Sequence, residues 1–280
     1  MDAPLPQPTT PPELNMGALS DALTEAQLSR IEDVSLNASA PSQQRWLDGW
    51  MLRYCPGKAK RARSVQALAG GRMALSDRLA AAAALMAEAG LPLLFRITPF
   101  SQPRGLDAWL AGQGFHRFDE TRVMVLPTLA DLPDADAAIP QHLALRRLDH
   151  AEFAEQVGAL RGTPADQRQS HAQRLIHSPS PYQGWVLQQR DGGLIVACGQ
   201  TAAEAEFVGL YDVFTHPQHR GQGLSRRLCA ALLVQAREQG ARTAYLQVDA
   251  ANAPARAVYR RLGFADAYSY HYRALDPHAE

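Results

Sequence analysis

The chain repeats its own pattern. Residues 87–115, AEAGLPLLFRITPFSQPRGLDAWLAGQGF, and residues 237–264, REQGARTAYLQVDAANAPARAVYRRLGF, run in one order: helix end, glycine, apolar strand, loop, short helix, Gly-Phe. Gly90 and Gly240 stand 150 positions apart, and Phe115 and Phe264 stand 149 apart. Upstream, GWMLRYCPG at 49–57 is echoed by GWVLQQRDGG at 184–193, an offset of 135. Self-similarity in the same order along the chain constrains a fold more than local propensity does, because each copy must be a unit of the same kind. Two similarly folded halves are therefore expected, joined through PTLADLPDADAAIP at 127–140, which has turn chemistry and no sustained periodicity. The expected organisation is a disordered lead-in over 1–16, a first half over 17–127, a linker over 128–140 and a second half over 141–280. The lead-in rests on Pro4, Pro6, Pro8, Pro11 and Pro12, which favour extended chain.

Apolar periodicity predicts, in the first half, a helix over 18–34, strands over 48–53 and 62–68, and a helix over 75–89 stopped by Gly90. A strand over 93–98, a helix over 106–113 and a strand over 117–126 complete it. The second half reads as a strand over 143–148, helices over 150–160 and 165–176, and a hairpin of 184–190 and 194–201 across Asp191-Gly192-Gly193. A strand over 207–215, a helix over 223–239, a strand over 244–248, a helix over 253–262 and a strand over 267–273 follow. Antiparallel hairpins come early and βαβ late, so the fold class is α/β in the mixed-sheet, α+β sense.

Composition narrows the functional classes. Of 280 residues, 46% are hydrophobic and 20% charged, within the globular range. Basic and acidic residues number 28 each, so the global charge that draws a protein to duplex nucleic acid is missing, and any polyanion must be met by a local site. The basic run at 58–63 reads as a solvated hairpin turn. No apolar stretch is long enough to span a membrane, and the N-terminus lacks the pattern of a secretory signal. Cys55, Cys198 and Cys229 are widely spaced, which argues against a disulfide framework or a zinc ribbon and for a cytoplasmic protein. His216 and His219 form no metal pair by themselves, because no third ligand is evident, and no metal is expected.

The chemistry concentrates in YDVFTHPQHRGQGLSRRL at 211–228. A strand runs into a loop with two glycines, and a helix starts at once. Gly221 and Gly223 let backbone approach a ligand closely, and the amides of Gln222, Gly223, Leu224 and Ser225 point out of a helix start, where the dipole favours an anion. Arg220 adds a guanidinium suited to phosphate oxygens. The loop lacks the lysine of a phosphate-binding P-loop and the third glycine of a dinucleotide fold, which leaves coenzyme A as the leading ligand. Downstream, Asn252 can cap the next helix and bond a pantetheine-like amide, and Tyr259, seven residues on, shares its face.

On these residues the chain resembles the GCN5-related N-acetyltransferase family. Arg220-Gly221-Gln222-Gly223-Leu224-Ser225 matches the family's acetyl-CoA loop, with Ser225 where the family has Gly or Ala. Val213, Phe214 and Thr215 precede it on the strand, and Asn252, Tyr259 and Leu262-Gly263-Phe264 match the later motif. The resemblance covers about 140–275. It implies two acyl-CoA N-acyltransferase folds in tandem. The first is a degenerate copy, because nothing near 70–76 supplies an Arg-Gly-x-Gly cradle.

The resemblance further implies direct transfer of an acetyl group from acetyl-CoA to a primary amine of a small molecule or peptide. The amides of Val213–Thr215 would bind the pantetheine arm and polarise the thioester, and Tyr259 would serve the departing thiolate. Asp212 and Glu206, placed on one strand face by alternation, are the candidates for the base that takes the amine's proton. The alternative is a non-catalytic acyl-CoA sensor on the same fold, which would have no need of Tyr259. No nucleic-acid or membrane partner is expected, and a monomer or homodimer is.

Overall fold

The computed structural model describes residues 23–55, 59–132 and 138–278. The expected lead-in at 1–16, the middle of the linker at 133–137 and Lys58 of the basic run lie outside them. Among the described residues, eleven strands and seven α-helices follow in chain order: α1 (Glu25–Ala38), β1 (Gln43–Leu47), β2 (Trp50–Tyr54), β3 (Val65–Ala67), α2 (Leu75–Glu88), β4 (Phe95–Ile97), α3 (Leu106–Gly112), β5 (His116–Leu126), β6 (Leu143–Leu148), α4 (His150–Leu160), α5 (Ala165–Ile176), β7 (Tyr182–Gln189), β8 (Ile195–Glu204), β9 (Phe207–Thr215), α6 (Leu224–Glu238), β10 (Thr243–Asp249), α7 (Ala253–Arg261) and β11 (Ala265–Ala274).

These elements form two compact units that are not the contiguous halves expected from the repeat. Among described residues, the first holds 41–122 and 268–278, and the second holds 23–40 and 123–267. The departures have local causes. Helix α1 joins the second unit because its Leu28 and Ile31 are fully buried, Arg30 pairs with Glu204 at 2.7 Å, and the Tyr182 hydroxyl donates to the Ala38 carbonyl at 2.6 Å. Most of β11 joins the first unit because it pairs antiparallel with β4, from His271↔Ile97 to Arg273↔Phe95. The described ends of the expected linker are not loose either. Leu129 and Leu132 are buried in the second unit's core, and the Leu129 amide donates to the Arg242 carbonyl at 2.8 Å.

In the second unit the strands run β10-β9-β8-β7-β6, antiparallel except for β9 with β10. One sheet face is covered by α6, which sends Leu224, Leu228, Leu232 and Ala236 inward at helical spacing. Each fully buried leucine contributes about 1.5–3 kcal/mol. The other face carries a second cluster in which Phe153 and Val157 of α4 and Leu175 of α5 pack on Val186 and Cys198. The first unit has the order β1-β2-β3-β4-β11, with β3 and β4 parallel and α2 between them in sequence. Its core gathers Trp50, Leu52, Phe95 and Phe115, with Trp50 edge-on to Phe95 at 5.1 Å.

Two expectations need correction. The first helix begins at Glu25 because Thr24 and Gln27 form a reciprocal capping box, a stronger start signal than the apolar periodicity upstream. Strand β1 was not expected at all. Its sequence QQRWL is exposed at nearly every position, so an edge strand of this kind has no apolar alternation to announce it.

Candidate active site

Strand β9 changes character at its midpoint. Its parallel pairing with β10 runs from Thr243↔Phe207 to Leu246↔Leu210 and goes no further, and burial ends at the same residue. Past Leu210 the two strands part, leaving a wedge beside 211–215. On the opposite edge the β8 ladder slips between Cys198 and Gln200: Cys198 faces Phe214 and Gln200 faces Tyr211, so Asp212 and Val213 together oppose Gly199. This is a β-bulge, and Asp212 takes the left-handed φ of 50° within it. The alternation that would set Asp212 and Glu206 on one face is therefore broken.

The loop after β9 opens onto the wedge. Gly221 and Gly223 both have positive φ, 78° and 72°, and a Cβ on either would meet nothing within 4 Å. The first intrahelical bond of α6 is Arg227 N to the Gly223 carbonyl, 3.1 Å, so the Leu224 and Ser225 amides precede it and are available to a ligand. A cavity of about 480 Å³ lies against these groups, lined by Val213, Phe214, Thr215, Arg220, Gly221, Gly223, Leu224, Ser225, Asn252 and Tyr259, together with His219, Pro254, Ala255 and Val258. Every residue expected to hold the cofactor lines it except Gln222, which is exposed between the two glycines.

The lining is chemically graded. At the loop, the Arg220 guanidinium lies 5.8 Å from the Phe214 ring, and its Nε donates to the Thr215 carbonyl at 3.4 Å. Buried Thr215 Oγ1 has no protein partner. Asn252 caps α7 through Oδ1, which accepts from the Ala255 amide at 3.1 Å, and its side-chain NH2 remains as a donor. Seven residues along α7 from Asn252, Tyr259 also lines the cavity and is nearly buried, edge-on to Phe264 at 6.1 Å. Burial, with Cys229 nearby, pushes the phenol well above its ordinary value of 10. It is thus a neutral hydrogen-bond donor at physiological pH. The lining can bind an anionic ligand at the loop and offers the Tyr259 phenol as a donor within the same cavity.

The corresponding loop of the first unit, between β3 and α2, is closed. The Asp48 carboxylate accepts from the Arg72 amide (2.8 and 2.9 Å) and the Met73 amide (2.7 Å), and it pairs with Arg78 at 3.1 Å. Arg78 is buried, 5.0 Å from the Trp50 ring. Gly71, at φ 73°, is required there, because a Cβ would run into the Asp48 backbone oxygen and carboxylate.

Comparison with known proteins decides the family. Residues 25–273 match the family model described as "Probable histone acetyltransferase Rv0428c C-terminal". The chain belongs to this family of GCN5-related N-acetyltransferases. It is 25% identical over 258 residues to the "Uncharacterized N-acetyltransferase YobR" of Bacillus subtilis, covering 88% of this chain and 98% of that one. A GCN5-related N-acetyltransferase from Kribbella flavida shares the fold with a TM-score of 0.63 at 18% identity, over 89% of this chain and 95% of its own. A tandem GNAT protein from the clavulanic acid biosynthesis pathway matches with a TM-score of 0.58 at 21% identity, over 72% of this chain and 70% of its own. The protein is accordingly an acyltransferase of the acetyltransferase class.

Within this acetyltransferase, the two carboxylates expected as bases fare differently. Glu206 sits exposed in the turn before β9, where its carbonyl accepts from the Arg242 and Thr243 amides. Seven residues of strand, roughly 23 Å, separate it from Val213, so it is not part of the site. Asp212 is at the site's edge but is committed. Arg161, the C-cap of α4, donates to its Oδ1 at 3.1 Å and to its carbonyl at 2.6 Å, Gln200 donates to Oδ2 at 2.6 Å, and His171 of α5 lies 3.4 Å from Oδ2. Burial works against its charge, but His171, Arg161 and Arg174 outweigh it and hold the carboxyl well below the ordinary range. A carboxylate so stabilised is a weak base.

Sequence reasoning missed Arg161, His171, Gln200 and His219. The first three come from the C-cap of α4, from α5 and from β8, and only the fold brings them to Asp212, so no local spacing could have marked them. His219 was seen but weighed only as a metal ligand.

Proposed function

We propose that the protein transfers an acetyl group from acetyl-CoA to a primary amine, using the cavity between the β9 end, the Arg220–Ser225 loop and Asn252–Tyr259. The observation that carries this reading is the coincidence in the lining of one cavity of an open, positive-φ amide cradle with Arg220 and a buried neutral phenol, Tyr259. The residues fit the co-substrate. Loop amides and Arg220 suit a pyrophosphate. The unpaired edge of 211–215 and the Asn252 NH2 suit the amides of a pantetheine arm, and Thr215 Oγ1 is a buried polar atom lacking a partner.

In the reaction, the amine lone pair attacks the thioester carbonyl, a C–N bond forms, and the C–S bond breaks with its electrons leaving on sulfur. Backbone N–H groups on the bulged segment supply donors for the developing oxyanion. Tyr259 contributes a hydrogen bond to the departing thiolate with partial proton transfer, since the thiol is more acidic than the phenol. Tyr259 at that position favours an enzyme over a silent acyl-CoA sensor. The acceptor belongs to the broad class of small-molecule or peptide amines.

The first unit is, in this proposal, a degenerate copy of the second. Its parallel β3–α2–β4 arrangement parallels β9–α6–β10, and Asp48 fills the loop before α2 by taking the Arg72 and Met73 amides. The test is thiol release from acetyl-CoA in the presence of spermidine, glucosamine, alaninamide and a tripeptide with a free N-terminus. Amine-dependent thiol release, lost in Arg220→Ala/Gly223→Glu, is the expected result. Thiol release from none of them would contradict the proposal.

A further inference from the structure

His171 is the one member of the Asp212 cluster that is neither buried in packing nor used up by hydrogen bonds. Its Nε2 is buried and lies 3.4 Å from Asp212 Oδ2, at ion-pair distance without a formed hydrogen bond, while Nδ1 has no protein partner among the described residues and the side chain is partly exposed. The carboxylate opposite cannot turn away, because Arg161 holds Oδ1 and the Asp212 carbonyl, and Gln200 holds Oδ2. A fixed carboxylate 3.4 Å from one ring nitrogen favours the proton on that nitrogen, Nε2, which leaves the lone pair on Nδ1. A carboxylate-oriented imidazole is the arrangement that makes a histidine a base. The cluster also adjoins the cavity. Arg161 lies 5.3 Å from the Phe214 ring, and that ring lines the cavity and meets Arg220 at 5.8 Å. The strained bulge at Asp212 joins the two, since the next residue, Val213, also lines the cavity.

We infer that His171 is the general base of the acetyl transfer, accepting the acceptor amine's proton on Nδ1, with Asp212 as its positioning residue. This rests on the acetyltransferase function proposed above. As the C–N bond forms and the C–S bond breaks, the proton released from nitrogen passes to His171 and then to solvent, while the sulfur leaves as thiolate beside Tyr259. The charged groups around the imidazole are Asp212 from β9, Arg161 from the C-cap of α4 and Arg174 from α5. Arg168 of α5 is itself paired with Glu155 of α4 at 3.0 Å. Cys198 of β8 is neutral, because burial pushes its thiol up to about 12.

The test uses the full chain and two variants, His171→Gln and Asp212→Asn, with the fastest amine of the four-member panel. His171→Gln is expected to lower kcat/KM about 100-fold, while the Kd for acetyl-CoA stays within about threefold, the margin expected of a group outside the cofactor cavity. Asp212→Asn is expected to lower kcat about tenfold with the acetyl-CoA Kd unchanged, a split between turnover and binding that a merely structural role would not give. A His171→Gln enzyme with a near wild-type rate would overturn the assignment. So would an Asp212→Asn enzyme with wild-type kcat, or one that loses turnover and binding equally. If the wild type acetylates none of the amines, the acetyltransferase reading fails and this role with it. That outcome is distinct from failure of the base alone, in which both wild type and His171→Gln are active.

Discussion

The two glycine-bearing loops of this protein meet the same physical problem and answer it differently. At each, a strand ends, a left-handed glycine turns the chain and a helix begins with amides that lack intrahelical acceptors. In the first unit, the Asp48 carboxylate fills the loop just before the Ala74 cap of α2, taking the Arg72 and Met73 amides and pairing with Arg78. In the second, the cradle at Gly221–Ser225 faces a cavity and Arg220 is exposed. A loop filled by an internal carboxylate gains rigidity and leaves no room for an anionic ligand, whereas an open one can take an anion. On the proposed function, the units divide the work by which loop lacks an internal anion.

The largest effect is expected where the open cradle is destroyed. Arg220→Ala/Gly223→Glu should weaken acetyl-CoA binding at least 100-fold, since it removes a guanidinium and places a carboxylate where an anion would bind. Isothermal titration checks this. Next, Tyr259→Phe should lower kcat about 100-fold while leaving the acetyl-CoA Kd nearly unchanged, as expected of a group used mainly in the transition state. Equal losses in binding and turnover would make Tyr259 a packing residue instead.

Much of this contrast was legible before any coordinates, and the reasons are specific. Helix α6 could be read because Leu224, Leu228 and Leu232 repeat at helical spacing, and the cradle because Arg220 through Ser225 are contiguous. Tyr259 could be placed because it is two turns from Asn252 on one helix. What was not legible depends on contacts distant in sequence. Asp48 lies 24 residues from Arg72, and its role as a built-in acceptor has no local signature. Likewise, the Asp212 cluster draws on Arg161, His171 and Gln200 from three other elements. The swap of α1 and β11 between the contiguous halves was hidden for the same reason.

The first unit should respond in stability and not in ligand binding. Gly71→Ala forces a Cβ into Asp48 at positive φ and should cost about 1–3 kcal/mol in thermal or urea unfolding, with acetyl-CoA affinity unchanged. Any loss of affinity would mean the closed loop contributes to the site.

Acid should act in the same direction through the buried Asp107–His271–Arg273 cluster. His271 Nε2 lies 2.8 Å from Asp107 Oδ1, and Arg273 donates to the same oxygen. Burial lowers the imidazole below its ordinary 6.5, despite Asp107. For Asp107, burial raises the carboxyl, but the hydrogen bonds from His271 and Arg273 outweigh it and bring it to about 2 from 3.8. Both groups bind protons more readily when the chain is unfolded, so stability falls as pH falls: first below about 6.5, where unfolded histidine protonates, then between about 4 and 2. The second step is worth about 2 kcal/mol, and Asp107→Asn should remove it from a pH series of urea melts. The smallest effect is expected for Asp48→Asn. It should lower Tm modestly through the lost charge on the Arg72 and Met73 amides and on Arg78, without creating a second binding site.

The most direct measurement is calorimetric titration of acetyl-CoA into the wild-type chain. One site per chain, abolished by Arg220→Ala/Gly223→Glu and untouched by Asp48→Asn, is the predicted result. Two sites per chain, or binding that survives the double variant, would contradict the division of labour between the open and the closed loop.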